Sequence, residues 1–423
     1  MPGVLRGALR IALVVLAGAA PASGQEGDQS LRAWLRPRAT LRSAAWSSSR
    51  TVDNRGPLFG SEVWADIAPR FSERIGLRAS GWAGIGSVLG ASDADAALRE
   101  LYAEIGFRAA EFRLGKQIVA WGRADAVNPT DIVSPRDLTM LVTDDDDQKS
   151  GVPAIRAALT FGGTTVSALW IAGFEASTLP LGSIPSSTRI VQPSRSDEVA
   201  QGALRMEHAG GRVDWSVSWF SGLDLVPDAA IRATPTTTAL ELAHHRLRVL
   251  GADAATTLGR YGLRAEAALL LTDDASGRDA EIKNSTLFAV IGADRTFGSY
   301  FNVNVQYLVR YVRGFTPPGS ISDPPQRETA LTLARVSQQL RQTQHGGTVR
   351  LSNQWWHETL KAEVSGVFFA PPWQVLIRPR ITYAVSDRWQ LVAGADHADG
   401  GDGTLFRSLR KNSLAFLEVR LGL

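Results

Sequence analysis

Arginine recurs at even spacing near the start of this 423-residue chain: Arg32, Arg36, Arg38 and Arg42 alternate with Leu31, Ala33, Leu35, Ala39 and Leu41. Arg74 and Arg78 repeat the device against Ile75, Leu77 and Ala79, and Arg113 sits beside Phe112 and Leu114. Basic groups on one side of an extended segment, with apolar groups on the other, suit a water-filled passage that attracts anions. Later in the chain stands the run Asp144 to Asp147, preceded by Asp125, Asp131 and Asp137. Charge runs are commonly solvated faces. Two other chemistries fit: an acidic wall at a constriction, and a hard-cation site for which Asp144 and Asp146 are the candidates. Six histidines are scattered, and the pair His244-His245 has no third ligand near it. No nucleophile elbow, phosphate loop or zinc motif is present, so the sequence indicates neither an enzyme nor a cofactor. A formal charge of +3 is too small to argue for nucleic acid.

Extended elements must position these groups. Period-two alternation runs through much of the chain, as in Phe301, Val303, Val305, Tyr307, Val309 and Tyr311 against Asn302, Asn304, Gln306 and Arg310. The alternating runs have about the length that a tilted strand needs to cross a bilayer. Tight connections near Gly162-Gly163, Gly210-Gly211 and Gly259-Arg260 take turns with long ones, which is the pattern of a membrane barrel. Every backbone polar group must be paired inside lipid, so the sheet has to close. The expected fold is all-β: a closed antiparallel transmembrane barrel of about 18 strands, with 16 as the alternative, short periplasmic turns and long outer loops.

The N-terminus reads as a secretory leader over residues 1–22, with Arg6 and Arg10 before an apolar core and cleavage after Ala22 or after Gly24. Residues 23–423 then form a single barrel domain in the outer membrane, in contact with its lipid and lipopolysaccharide. There is no Cys and therefore no disulfide. Trp121, Phe174, Phe220, Tyr261, Phe297, Trp355, Trp356, Trp373 and Trp389 fall near run ends, where interfacial girdles belong.

The last residues, LEVRLGL, place Leu417, Val419, Leu421 and Leu423 on one face. They resemble the C-terminal signal read by the barrel-insertion machinery of Gram-negative bacteria, although that signal usually ends in Phe. The pattern as a whole is similar to porin-like barrels. The stretch RLGKQIVAWG, with the Asn-Pro and Ser-Pro pairs after it, looks like uncharacterised porin-like families, some of them grouped with alginate-export channels; it covers about thirty residues.

Between the fifth and sixth strands lies a long ordered segment, about 122–151. In general porins the third outer loop folds into the barrel, and the resemblance implies the same here. The residues independently suggest order: Asn128-Pro129 and Ser134-Pro135 resemble helix starts, with Leu138, Met140, Leu141 and Val142 as apolar contacts. The alternative is a cap resting on the outer rim. Asp125, Asp131 and Asp137 are the expected pore-facing acids of this loop. On the wall, Arg36, Arg38, Arg74, Arg78, Glu104 and Arg113 are the expected pore-lining residues, with bases exceeding acids. Lys116 would face lipid unless Gly115 forms a bulge. Residues 164–174, 245–258 and 284–296 are apolar on both faces, which leaves their registers open. Arg327–Gln344 has helical spacing. The reading is a passive channel for small, anionic solutes. Its alternatives are an exporter-linked barrel for a polymer or lipid-like substrate, a closed structural or adhesive barrel, and a barrel hydrolase. A homo-oligomer is compatible with the chain, though no strand marks an interface.

Overall fold

The computed structural model describes residues 34–51, 56–89, 94–180, 188–191, 199–233 and 238–423. The assigned leader and Arg32 lie outside these residues. Seven strands come first: β1 Arg38–Trp46, β2 Leu58–Ile67, β3 Ile75–Gly86, β4 Ala94–Gly106, β5 Ala110–Gln117, β6 Val152–Phe161 and β7 Thr164–Ile171. The chain continues through β8 Thr188–Val191, β9 Gln201–His208, β10 Asp214–Leu223, β11 Asp228–Ala233, β12 Thr238–Ala243, β13 Arg246–Leu258 and β14 Tyr261–Thr272. Seven more strands end it: β15 Thr286–Phe297, β16 Phe301–Val312, β17 Thr343–Trp355, β18 Leu360–Ala370, β19 Gln374–Ala384, β20 Trp389–Gly400 and β21 Leu414–Gly422. Two helices, α1 Pro324–Val336 and α2 Leu405–Leu409, lie in outer connections.

Eighteen of these strands form one sheet, each antiparallel to its neighbours. The sheet closes where β1 pairs with β21, from Thr40 opposite Gly422 to Trp46 opposite Phe416. The remaining three, β8, β11 and β12, form a small separate sheet in the outer loops. The expected 18-strand barrel is therefore the fold, and 16 is set aside. Tight turns occupy one end, as between Leu258 and Tyr261, where Gly259 adopts φ +62° in a hairpin link that side chains with a Cβ resist. One outer connection departs from the long-loop rule, since only residues 371–373 join β18 to β19.

The two faces of the barrel invert the usual order. Leu101, Ile155, Leu204, Leu250, Ile291, Val305, Ile377 and Leu417 point outward and are exposed, whereas Glu100, Arg205, Ser216, Asp253, Glu266, Asn304, Gln306 and Glu418 point inward and are buried. An apolar exterior around a polar interior is built for lipid outside and water or polar groups inside. Tyr261, Phe297, Trp355, Trp356, Trp373 and Trp389 stand exposed near strand ends. Trp121 and Phe220 do not join them, because both pack in an apolar cluster on the inner side.

Several local expectations are corrected. The register of β4 with β5 is regular at Gly115, so there is no bulge there. Lys116 keeps the outward side opposite Leu101, next to the last residue of its strand, and meets Glu175 at 3.2 Å. The irregularity lies one strand earlier: pairing shifts between Ser80 and Gly81, which leaves Arg99 without a residue opposite. A bulge re-aims side chains, and both Arg99 and Glu100 turn inward as a result. The helix expected within Arg327–Gln344 begins earlier, with Asp323 accepting the Gln326 amide as its cap; from Thr343 the chain is already β17.

Depth along the outer face should set the cost of a charge. Ile291→Arg, midway along β15, is expected to lower unfolding stability by about 2–4 kcal/mol, and Leu258→Arg, at the end of β13, by about 0–1 kcal/mol. Urea titration of bilayer-reconstituted protein reads both. Equal costs would show that β15 does not span the bilayer as placed.

Candidate functional site

Cross-strand ion pairs organise the inner wall of the early strands. Arg78 lies between Asp66 at 2.9 Å and Glu100 at 3.2 Å. Arg113 lies between Glu111 at 2.9 Å and Glu104 at 3.2 Å, and Arg156 adds a 3.1 Å contact to Glu111. Of the six expected wall residues, Arg78, Glu104 and Arg113 therefore sit together on the inner face. Arg36, Arg38 and Arg74 do not. Arg36 precedes β1, Arg38 is its first residue and Arg74 lies in the turn before β3. All three are exposed at the turn end of the barrel. They do not fall mid-strand as the alternation suggested, because β1 begins later than the arginine spacing does.

The segment between β5 and β6 is held by the inner wall at several points around the barrel. Its first anchor is the carboxylate of Glu266 on β14, which is 3% exposed. It accepts the backbone amides of Arg123 at 2.9 Å, Ala124 at 3.0 Å and Thr130 at 2.8 Å, and the Thr130 hydroxyl at 2.8 Å. Gly122 makes this approach feasible. Its φ is +92°, and a Cβ there would lie 2.6 Å from both carboxylate oxygens. Beside it Asp253 receives Arg123 Nε at 2.6 Å and Arg205 at 3.2 Å, together with the Ser216 hydroxyl. Asp125 then reaches Arg264 at 3.4 Å on β14 and Arg350 at 3.2 Å on β17, and accepts from Asn304 on β16.

The aspartate run forms the second anchor, across the sheet closure. Asp144 binds Arg380 and Arg420, each at 2.9 Å. Asp145 binds Arg378 at 2.5 Å. Asp147 binds Arg42 at 2.6 Å and lies 3.7 Å from Arg99. Both of these arginines also lie over the Trp64 ring, at 4.5 and 5.2 Å. Arg50 ties the first outer loop to the same place, donating to the Met140 and Val142 carbonyls and meeting Asp396 at 2.9 Å. The run is thus not a solvated face, although the Asp145 and Asp146 side chains are exposed; Asp145 is nevertheless held by Arg378, and Asp146 contacts Lys149 at 3.1 Å. Carboxylates engaged by cations in this way are not a ligand set waiting for a metal. Among the described residues no group of three or more His, Asp or Glu is disposed for one.

Burial disfavours ionisation of Asp144, but Arg420 and Arg380 outweigh it and hold the carboxyl below its ordinary range. Asp145 follows the same rule, with burial opposed by Arg378.

Apolar contacts complete the anchoring. Val119 and Val133 of the segment pack with Leu169, Phe220, Leu247 and Val249 of the wall. Leu141 packs with Trp46, Val392 and Phe416, and Ala124 and Val127 with Phe288, Val290 and Leu308. The strands that read as apolar on both faces are those whose inner side meets these residues.

Within the segment the two expected helix starts do not form helices. The Ser134 hydroxyl accepts the Val119 amide at 2.8 Å instead of capping its own turn. Asp131 is turned into the segment, against Arg136 at 2.8 Å and Lys149 at 3.1 Å, and its side chain is 4% exposed. Asp137 accepts from the amide and hydroxyl of Thr139. Of the three expected loop acids, only Asp125 faces wall cations. Sequence reasoning missed Asp253, Arg99 and Arg50, and it missed the clamping role of Glu266, which it had placed only as an inward acid of the wall. Gly122 is the one local signal that a side chain approaches there.

In the outer loops Lys283 meets Asp224 at 3.0 Å and Asp228 at 3.5 Å, and His245 meets Asp228 at 2.7 Å. His244 instead contacts the Asp224 carbonyl oxygen at 2.7 Å. Among the described residues one serine–histidine pair forms, on the outward side: His397 Nδ1 lies 2.9 Å from the Ser413 hydroxyl. That hydroxyl donates to the Arg410 carbonyl, which leaves its proton engaged away from the imidazole.

No protein-family model and no curated protein matches the sequence. The fold, however, is similar to that of solved porins. OpdK of Pseudomonas aeruginosa, solved with vanillate, aligns at a TM-score of 0.54 and 12% identity, covering 92% of this chain and 98% of that one. A BenF-like porin of Pseudomonas fluorescens Pf-5 gives 0.57 and 12% over 92% and 98%. OccAB4 of Acinetobacter baumannii gives 0.56 and 8% over 92% and 97%.

Replacing Glu266 by Ala leaves several buried amides without an acceptor, at about 1–3 kcal/mol for each unsatisfied group. Exchange of the Arg123, Ala124 and Thr130 amides is expected to become fast while that of β14 itself stays slow. Unchanged protection would remove Glu266 as the anchor. The aspartate anchor has its own pH signature. Because the Asp144 and Asp145 pKa values are lowered, their contribution is present above the ordinary carboxylate range, near pH 4. It is lost as pH falls through the depressed values. Amide protection of 140–150 should accordingly persist through pH 4 and fail only below it.

Proposed function

We propose that the protein is a passive channel for small solutes in the bacterial outer membrane, with the segment between β5 and β6 as its constriction. The observation that carries this reading is the clamping of one inserted segment to widely separated parts of the inner wall, by Glu266 on β14 and by Arg378, Arg380 and Arg420 on β19 and β21. A floating loop needs no such clamps, whereas a constriction must hold its shape against flow. The fold shared with porins, one of them solved with vanillate, supports the same reading. A closed structural barrel is the competing reading. A hydrolase finds little support, since the Ser413 hydroxyl donates to a carbonyl and not to His397.

The selectivity we assign is a weak anion preference, with a different cation at its centre from those the alternation favoured. Arg78 and Arg113 are held by acids, and Arg36 and Arg74 stand at the turn end. Arg310 on β16 is different. Its guanidinium lies 4.6 Å from the Phe288 ring and 5.7 Å from the Phe369 ring. It donates only to carbonyl oxygens of Gln338 and Gln344, at 3.3–3.4 Å. Among the described residues no carboxylate pairs with it. An uncompensated cation between two apolar rings focuses positive potential on the passage.

Planar-bilayer recording tests both claims. Wild-type protein is expected to open discrete channels, and removal of residues 124–150 to raise their conductance. A silent wild type would favour the closed barrel. Under a salt gradient, Arg310→Gln should move the permeability ratio toward unity, while Arg74→Gln leaves it unchanged. The reverse ranking would return selectivity to the turn end.

A further inference from the structure

The outer half of β13 carries two arginines on its lipid-facing side. Arg246 and Arg248 share the outward side with Leu250 and Ala252 and are exposed. Their Cα atoms are about 6.5–7 Å apart, the spacing of alternate residues on a strand. Among the described residues neither guanidinium has a hydrogen bond or an ion pair. Asp273 accepts the Arg246 backbone amide at 3.2 Å and bounds the pair on its loop side. Outward charge on a barrel is costly in lipid and tolerated toward the interface. Two unpaired arginines there call for an anion that the membrane itself supplies.

Below them the outer surface is hollowed. Ala252 and Ala254 on β13, Ala265 and Ala267 on β14 and Ala289 on β15 form the floor of a concavity of about 450 Å³, with Ile291 and Tyr307 as its taller wall. The registers place Ala252 beside Ala267, and Ala265 beside Ile291, so the floor is continuous across three strands. The hollow begins four residues from Arg248, about 13 Å along the strand. That separation fits a phosphate at the head and an acyl chain lying downward along the barrel wall.

We propose that Arg246, Arg248 and the alanine hollow form a binding site for one phosphorylated glycolipid of the outer leaflet, lipid A, with phosphate on the arginines and an acyl chain in the hollow. Position commits the site to the outer leaflet: the arginines stand at the strand end that leads into the long loops. Paired arginines suit phosphate because each guanidinium offers a planar fork of donors. The alanines supply depth instead of charge, so the two halves of the site recognise the two halves of the lipid. The site lies on the lipid side of the wall and is independent of the channel reading.

Native mass spectrometry of the whole detergent-purified barrel, titrated with lipid A, tests this. Wild-type protein is expected to retain one lipid A. The R246Q/R248Q double variant and the A267L variant, which fills the hollow, should each lose retention on the order of tenfold. Lipid A stripped of its phosphates should bind as poorly as either variant. Wild-type retention unchanged in both variants would overturn the proposal. Equal retention of phosphatidylglycerol would overturn it as well, by showing a site for any acylated phospholipid and not for lipid A. Heat-modifiable migration verifies that each variant has folded, and since all three positions face outward, a variant that folds yet keeps its lipid counts against the site.

Discussion

Charge neutralisation inside a narrow barrel is the constraint on which the rest of this structure depends. Arginines facing inward from β1, β19 and β21 would repel one another in a medium that screens them poorly. The acids that compensate them are not all on the wall. Asp144, Asp145 and Asp147 come from a segment that leaves the sheet after β5 and returns at β6. Wall and segment each lack what the other supplies, and the ion pairs between them fix where the segment lies. Glu266 works by the opposite logic. It brings a buried negative charge to a turn of backbone amides, which is stabilising because a carboxylate with several N–H donors is well solvated by them.

Much of this architecture was legible in the sequence. Period-two alternation, glycine-marked tight turns and long opposing loops led to the closed barrel and to its number of strands, because each follows from backbone geometry within a few residues. The position of the long ordered segment was legible for the same reason. Its internal conformation was not. Ser134 and Asn128 have the types that cap helices, but Ser134 is drawn to the Val119 amide, a contact across the segment that local spacing does not encode. The same holds for Asp144 to Asp147. A charge run reads as solvated until the arginines of strands more than two hundred residues later are brought opposite it.

The two-faced apolar strands are the clearest case of a local rule failing for a physical reason. Leu247 and Val249 on β13, and Phe288 and Val290 on β15, break the alternation between an apolar outside and a polar inside. They do so where Val119, Val133, Ala124 and Val127 cover them, so the interior has patches of ordinary protein core beneath the segment. An irregular reading of those strands was in effect a reading of what packs on them. Gly115 shows the converse. The flexible residue was present and the charge next to it needed an escape, but Lys116 found one at the strand end with Glu175, and the regular register survived.

The distribution of anchors along the chain has a bearing on timing. The segment is made early, between the fifth and sixth strands of the sheet. Its partners Glu266, Arg350, Arg378, Arg380 and Arg420 come from β14, β17, β19 and β21. Contacts so distant in sequence form late, because closing long loops of chain must precede them. The inserted segment therefore reaches its final place only after the last strand has zipped against the first. A barrel that has not closed lacks part of the anchor, and a segment fully anchored marks a finished wall.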